Sequence, residues 1–270
     1  MSDETLSEDL EIQDPDLYVA SFFVPAAHRS EVLALMRFAV ELERVSVQVK
    51  EPMIAQIRYA WWREQVAALW EGRAVASPVV QGLGPVVGAH QLPRAPFDAM
   101  IDAHGLDCEA TPFSGMAQFE AYCRDTSGSL MRLMARVLGA GERADAACDA
   151  AGLAAGAALQ LRSFDHWRRH RRLRLPLSPL LEGGVNEDDV FGGGGAEALG
   201  AAFGVIRLRI RAALGEVNRT RFPRAAMPAL ALATLARPVM TPGRDPLVTG
   251  LVSPLGRVAR LAAANLLWRV

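Results

Sequence analysis

The chain has 270 residues, about half of them hydrophobic, and a net charge of −1. Such a composition supplies a full core, argues against global disorder, and points to no polyanionic partner such as nucleic acid. Three scattered cysteines with no CxxC spacing exclude a disulfide scaffold and a cysteine-based metal site, and fit a reducing, cytoplasmic compartment.

Residues 1–16 carry seven acids and no base. Residues 1–13 read as an acidic disordered leader, followed by one domain over 14–270. The leader lacks the basic start and apolar stretch of a secretory signal, and it is too acidic for a transit peptide. No apolar run reaches the ~18 residues that would suggest a membrane span. Residues 31–49 then show polar positions at Arg37, Glu41, Arg44 and Gln48, the spacing of one helix face. A second helix starts at Pro52, with Met53, Ile57 and Trp61 at helical intervals. "SPVVQGLGPVV" is a breaker-rich connection or a short helix. Residues 97–108 form a helix stopped or bent near Gly105, and 116–138 a long one ended by "GAG". An Ala-rich helix runs from 145 to about 163. "GGGG" at 192–195 has no strand before it and no GK[ST] after it, so it is a flexible connector and not a phosphate loop. Helices over 196–221, 225–237 and 255–269 complete the chain. Strand signals are nearly absent, so the fold is all-α.

Two features carry chemistry. Counting back from Glu43 by four, three and four residues gives Ala39, Met36 and Val32, an apolar stripe. Glu43 is therefore a stripe-edge glutamate reaching for water or a carboxylate facing a cavity. The second feature is "AALQLRSFDHWRRHRRLRLP". It packs Arg162, Arg168, Arg169, Arg171, Arg172 and Arg174, with His166 and His170, around the single acid Asp165. Three uses fit: a solvated basic segment after a helix, a surface for an acidic partner or anionic lipid, or direct diphosphate binding by guanidinium forks. His166 and His170 stand four apart, but no third ligand follows them in sequence, so no metal site is expected there.

"DPDLYVASFFVPAAHRSEVLALMRFAVEL", "EPMIAQIRYAWWREQV", "GLAAGAALQL", "MPALALATLARPVM" and "DPLVTGLVSPLGRVARLAAANLLW" together resemble squalene/phytoene synthases. The resemblance covers nearly everything after Gln13. It implies a single-domain all-α isoprenoid synthase fold with helices around a central cavity. Those enzymes join two prenyl diphosphates head to head. They do so with two facing DxxxD motifs, whose carboxylates hold Mg²⁺ against the diphosphates. Laid on this sequence, the first motif begins at Glu43 and meets Val47 where its second acid belongs. The second falls on Trp167 and Arg171, with Asp165 the acid in reach. Gln160 and Tyr122 match cavity-lining residues of the family, and Ser163 stands where an asparagine is usual.

These departures resemble a degenerate branch, that of the mitochondrial complex I assembly factor with a synthase-like fold and its bacterial relatives. The branch implies a non-catalytic protein without metal or cofactor, acting as an assembly or interaction factor for a respiratory complex. The six arginines would form its basic interaction surface. Its place would be cytoplasmic or peripheral to the inner membrane, in contact with a protein partner, an anionic membrane or an isoprenoid lipid. Two alternatives remain open: a divergent Mg²⁺-dependent prenyltransferase, and an isoprenoid-lipid binding protein.

Overall fold

Asp14 caps the helix that follows it: its side chain accepts hydrogen bonds from the N–H groups of Asp16 (3.0 Å) and Leu17 (2.9 Å), and Pro15 stands at the first helical position. The computed structural model describes residues 10–49, 51–111, 113–240 and 253–270. All regular elements among them are helical: α1 (Pro15–Ser21), α2 (Arg29–Gln48), α3 (Pro52–Trp70), α4 (Pro78–His90), α5 (Ala95–Gly105), α6 (Met116–Cys123), α7 (Ser129–Val137), α8 (Asp145–Arg169), α9 (Ser178–Glu182), α10 (Glu187–Phe191), α11 (Ala196–Arg219), α12 (Met227–Leu230) and α13 (Pro254–Leu267). Their apolar faces meet in one cluster of buried residues that runs from Leu10 to Val270.

α8 lies at the centre and packs against α6, α7, α11 and the 3₁₀ run Ala231–Met240. Its small residues make this possible. A Cβ placed on Gly152 would stand 2.2 Å from the Cα of Gly128, so two backbones cross there in contact. That crossing also explains why residues 116–137 are not one regular helix: α6 passes into α7 through a π-helical segment, Arg124–Gly128, which brings Gly128 to the crossing.

Other boundaries differ from the sequence pattern for identifiable reasons. Residues 10–13, placed in the disordered leader by the sequence pattern, are helical and Leu10 is fully buried; residues 1–9 lie outside the described residues. α8 continues six residues past Ser163 because Phe164 and Trp167 extend its buried face. The breaker-rich stretch at 78–90 is a full helix, with Pro85 inside it. Residues 224–240 are mostly 3₁₀, interrupted only by α12. "GGGG" is a turn in which Gly193 and Gly195 take positive φ, a conformation that favours glycine. All three cysteines are buried free thiols.

Candidate functional site

A cavity of about 100 Å³ opens between α1, α2, α5, α6, α7, α8 and the 3₁₀ run. Met100, Leu130, Met131, Leu159, Leu232 and Leu235 supply its apolar wall. Its polar groups are Asp14 and Asp16 of the N-terminal segment, Glu43, His104, Tyr122, Thr126, Ser127, Gln160 and Arg162. Glu43 thus faces the cavity one turn along from Ala39, and its carboxylate makes no hydrogen bond or ion pair with another described side chain. Gln160 also lines the cavity, and its buried Oε1 accepts no hydrogen bond from a described residue.

The other two carboxylates are engaged. Asp16 receives Arg162 Nη2 at 2.7 Å on one oxygen and Arg257 Nε at 2.5 Å on the other. Burial pushes the Asp14 carboxyl up to about 7, against the pull of the Leu17 N–H. An acid of the N-terminal segment therefore meets the arginine run at its first member.

Below the cavity lies a buried polar network that sequence spacing did not reveal. Asp107 is fully buried and forms an ion pair with Arg174, itself 2% exposed. The Tyr122 hydroxyl donates to Asp107 Oδ1 at 2.7 Å, and His104 Nδ1 lies 2.7 Å from Oδ2. Burial alone would raise the Asp107 carboxyl, but Arg174, His104 and Tyr122 outweigh it and hold it below the ordinary carboxylate range. The Arg174 guanidinium stacks 3.9 Å over the Trp167 ring. Asp107 sits in an undistinguished "HGLDCE" stretch, and only its partnership with an arginine 67 residues later gives it meaning.

The arginine run separates into two groups. Arg162, Arg172 and Arg174 point inward. Arg172 donates to the carbonyls of Ser46 (2.6 Å) and Val49 (3.2 Å), capping the C-terminal end of α2, where a cation meets the negative end of the helix dipole. The backbone agrees: Leu173 N–H donates to Ala110 O and Leu177 N–H to Phe113 O, stitching the segment onto residues 110–113. The expected six-arginine surface is therefore corrected to three, because Arg162, Arg172 and Arg174 are structural. Arg168, Arg169 and Arg171 face outward, and they too have acids: Arg168 and Arg169 flank Asp165 at 2.9 and 3.2 Å, and Arg171 meets Asp188 at 3.0 Å.

The positions laid on the acidic motifs do not come together. Val47 is 56% exposed on α2, while Glu43 faces the cavity. Asp165 is exposed, Trp167 is buried under the two arginines and Arg171 is on the surface. Ser163 is half-buried and turns its hydroxyl to the Leu159 carbonyl at 2.7 Å. The His166 and His170 rings lie 4.6 Å apart, with no third donor grouped with them among the described residues.

Comparison with known proteins places this architecture. The profile of the squalene/phytoene synthase family matches residues 10–241. A protein of Bos taurus named NADH dehydrogenase (ubiquinone) complex I, assembly factor 6, is 28% identical over 189 residues, which is 70% of this chain. The match spans 57% of that relative's length, so the chain corresponds to a little over half of it. Among solved structures, a dehydrosqualene synthase in complex with ligand superposes with a TM-score of 0.78 at 17% identity, over 98% of this chain and 95% of that one. The squalene synthase HpnC of Alicyclobacillus acidocaldarius does so with a TM-score of 0.69 at 19% identity, over 98% and 96%. At these identities the structural likeness speaks for the fold.

Proposed function

Because this chain belongs to the squalene/phytoene synthase family, we propose that it keeps the synthase frame without the prenyl-transfer chemistry and serves as an assembly factor for a respiratory complex. One observation supports this reading: among the described residues, the acids lining the cavity are Asp14, Asp16 and Glu43, not the two facing carboxylate pairs that a Mg²⁺-diphosphate clamp requires. α2 contributes Glu43 alone, and α8 contributes Gln160 and Arg162. Asp16 has both oxygens occupied by arginine, and Asp14 spends much of its time protonated near neutral pH. Among the described residues, the one His/Cys/Asp/Glu group close enough to share a metal ion lies on other residues. The described residues therefore do not fit the metal cluster. Size supports the same reading. A cavity of about 100 Å³ is small beside the ~150 Å³ that admits a single benzene ring, which argues against a prenyl chain being held wholly within it.

The role is drawn from relatives named for complex I assembly, and the surface suited to it is on α13. Leu255, Val258 and Leu266 are exposed on one face of it, with Leu267 and Trp268 exposed at its C-terminal end and Arg260 and Arg269 nearby. An apolar face with leucine and tryptophan, edged by arginine, is the pattern of a helix lying in a membrane interface. No helix among the described residues is long and apolar enough to cross a membrane. We place the protein at the surface of an anionic membrane, held by α13.

The deciding assay incubates the purified chain with farnesyl or geranylgeranyl diphosphate, with and without Mg²⁺, beside a working synthase. Diphosphate and prenyl products are measured. No release is the expected result, together with reduced assembled complex I in cells lacking the chain. Mg²⁺-dependent turnover would overturn the silent reading and establish the prenyltransferase alternative. Tight binding of the same compounds without turnover would instead favour a lipid-binding protein.

A further inference from the structure

A second cluster of ionisable side chains lies away from the cavity. His28 ends the single 3₁₀ turn Ala26–His28, Glu31 sits in the first turn of α2, and His90 is the last residue of α4. α2 packs on α4, which brings the three together although 59 residues separate Glu31 from His90. His28 Nδ1 is 3.0 Å from Glu31 Oε2, and His90 Nε2 is 2.9 Å from Glu31 Oε1. One donor atom from each residue falls within 4.8 Å of the other two. Glu31 is 12 residues before Glu43 on the same helix, about 18 Å along its axis, so this cluster is separate from the cavity.

Two details argue for more than a pair of surface ion contacts. His90 Nε2 is buried, yet it is not aligned to form a hydrogen bond with the carboxylate or any other described group. A buried ring nitrogen that faces a carboxylate oxygen at 2.9 Å without hydrogen-bond alignment is placed to serve as a ligand atom. Arg29, the nearest cation in sequence, turns away to donate to the Val24 carbonyl at 3.2 Å and leaves Glu31 to the histidines.

We propose that His28, Glu31 and His90 form a binding site for a zinc-type divalent cation, which ties the start of α2 to the end of α4. Two imidazoles and a carboxylate are a donor set for such an ion, with bonds of about 2.0–2.2 Å and water in the fourth position. Tetrahedral bonds of that length put neighbouring donors about 3.3 Å apart, so the two His–Glu contacts need open by only a few tenths of an ångström, while the remaining donor separation, within 4.8 Å, closes as the ion enters. The side chains are 36%, 29% and 18% exposed, which lets an ion enter and keep a water ligand. The negative end of the α4 dipole at His90 favours a cation, while the positive end of α2 opposes it, so the fields largely offset and the ligands decide.

The test uses the full chain stripped by a chelator and titrated with Zn²⁺ against a chromophoric competitor. Co²⁺ spectra serve as a geometric readout. One equivalent should bind, with tetrahedral Co²⁺ absorption and a rise in unfolding temperature. His28→Ala, His90→Ala and Glu31→Gln should each weaken binding at least about tenfold, given that loss of even an outer-shell partner costs ~10–100-fold. The Glu31→Gln side chain keeps its shape and a hydrogen-bonding oxygen, so it serves if a histidine variant misfolds. The double variant His166→Ala/His170→Ala, which removes the other histidine pair, should bind as the parent does. Absence of binding by the parent chain would overturn the proposal. So would equal binding by Glu31→Gln and the parent, or loss of binding only in the His166/His170 variant.

Discussion

Replacing Asp107 with Asn tests whether the arginine run is part of the core. The substitution keeps size and one oxygen acceptor but removes the charge that faces Arg174. Both side chains are almost wholly buried, so the guanidinium would be left as a buried cation whose remaining support is the Trp167 face. Breaking such a pair from one side costs about 3–5 kcal/mol, a large share of the ~5–15 kcal/mol that a folded domain commands. Spread over ~2–4 °C per kcal/mol for a chain of this class, the unfolding temperature should fall by roughly 6–20 °C. Urea unfolding should show a lower midpoint with an unchanged slope. The double variant Asp107→Asn/Arg174→Met should recover at least half of the loss, because it removes the stranded charge. Acid titration gives an independent reading. The folded-state pKa of Asp107 is depressed, so the folded protein binds fewer protons than the unfolded chain. Its contribution is fully present above the unfolded value of about 3.9 and is lost as pH falls through the folded one. The parent should therefore lose stability more steeply below about pH 4 than the Asn variant does. A loss under about 1 kcal/mol, or equal acid slopes, would refute the view that this pair holds the segment down.

Gly152→Ala should destabilise by about 3 kcal/mol or more, the upper end of overpacking costs, since the added carbon meets the Gly128 backbone and no side chain can rotate away; chemical denaturation measures it. Arg172→Ala should cost about 2 kcal/mol through two lost charge-assisted hydrogen bonds at the end of α2. By contrast, Arg168→Glu, Arg169→Glu and Arg171→Glu should each change stability by no more than about 0.5 kcal/mol; comparable losses across all four variants would mean the run is not divided as described. Leu255→Glu with Leu266→Glu should abolish co-flotation with anionic vesicles while leaving the circular dichroism spectrum unchanged, and retained flotation would remove α13 as the contact.

Helix positions were legible because amphipathic spacing and stop signals are local. α2, α11 and α13 begin and end within three residues of where the pattern puts them, and α3 begins at the expected Pro52. The π segment was not, because its cause is the contact of Gly128 with Gly152, which no window around either residue contains. Three short helices, α1, α9 and α10, are too brief for periodicity to register; only caps announce them, such as the reciprocal pair of Asn186 and Asp189 at α10. The candidate site divides the same way. Glu43 could be aimed by counting along its own helix. The roles of Arg172 and Arg174 depend on carbonyls and a carboxylate more than 60 residues distant, so charge density alone read them as surface.

The two groups of arginines suggest how such a frame could change its chemistry and keep its fold. Helices that present facing carboxylates carry concentrated negative charge, which a metal cluster must neutralise. In this chain, arginines do the neutralising: Arg162 and Arg257 on Asp16, and Arg174 on Asp107. A guanidinium stays charged throughout the physiological range and brings several donors in a fixed plane. It can therefore satisfy a buried carboxylate permanently, where a metal does so only while bound. The exchange favours a rigid cavity wall over an exchangeable ligand site. This is what a protein valued for its surface would retain, and on the proposed reading folding and partner binding are therefore expected to be independent of magnesium.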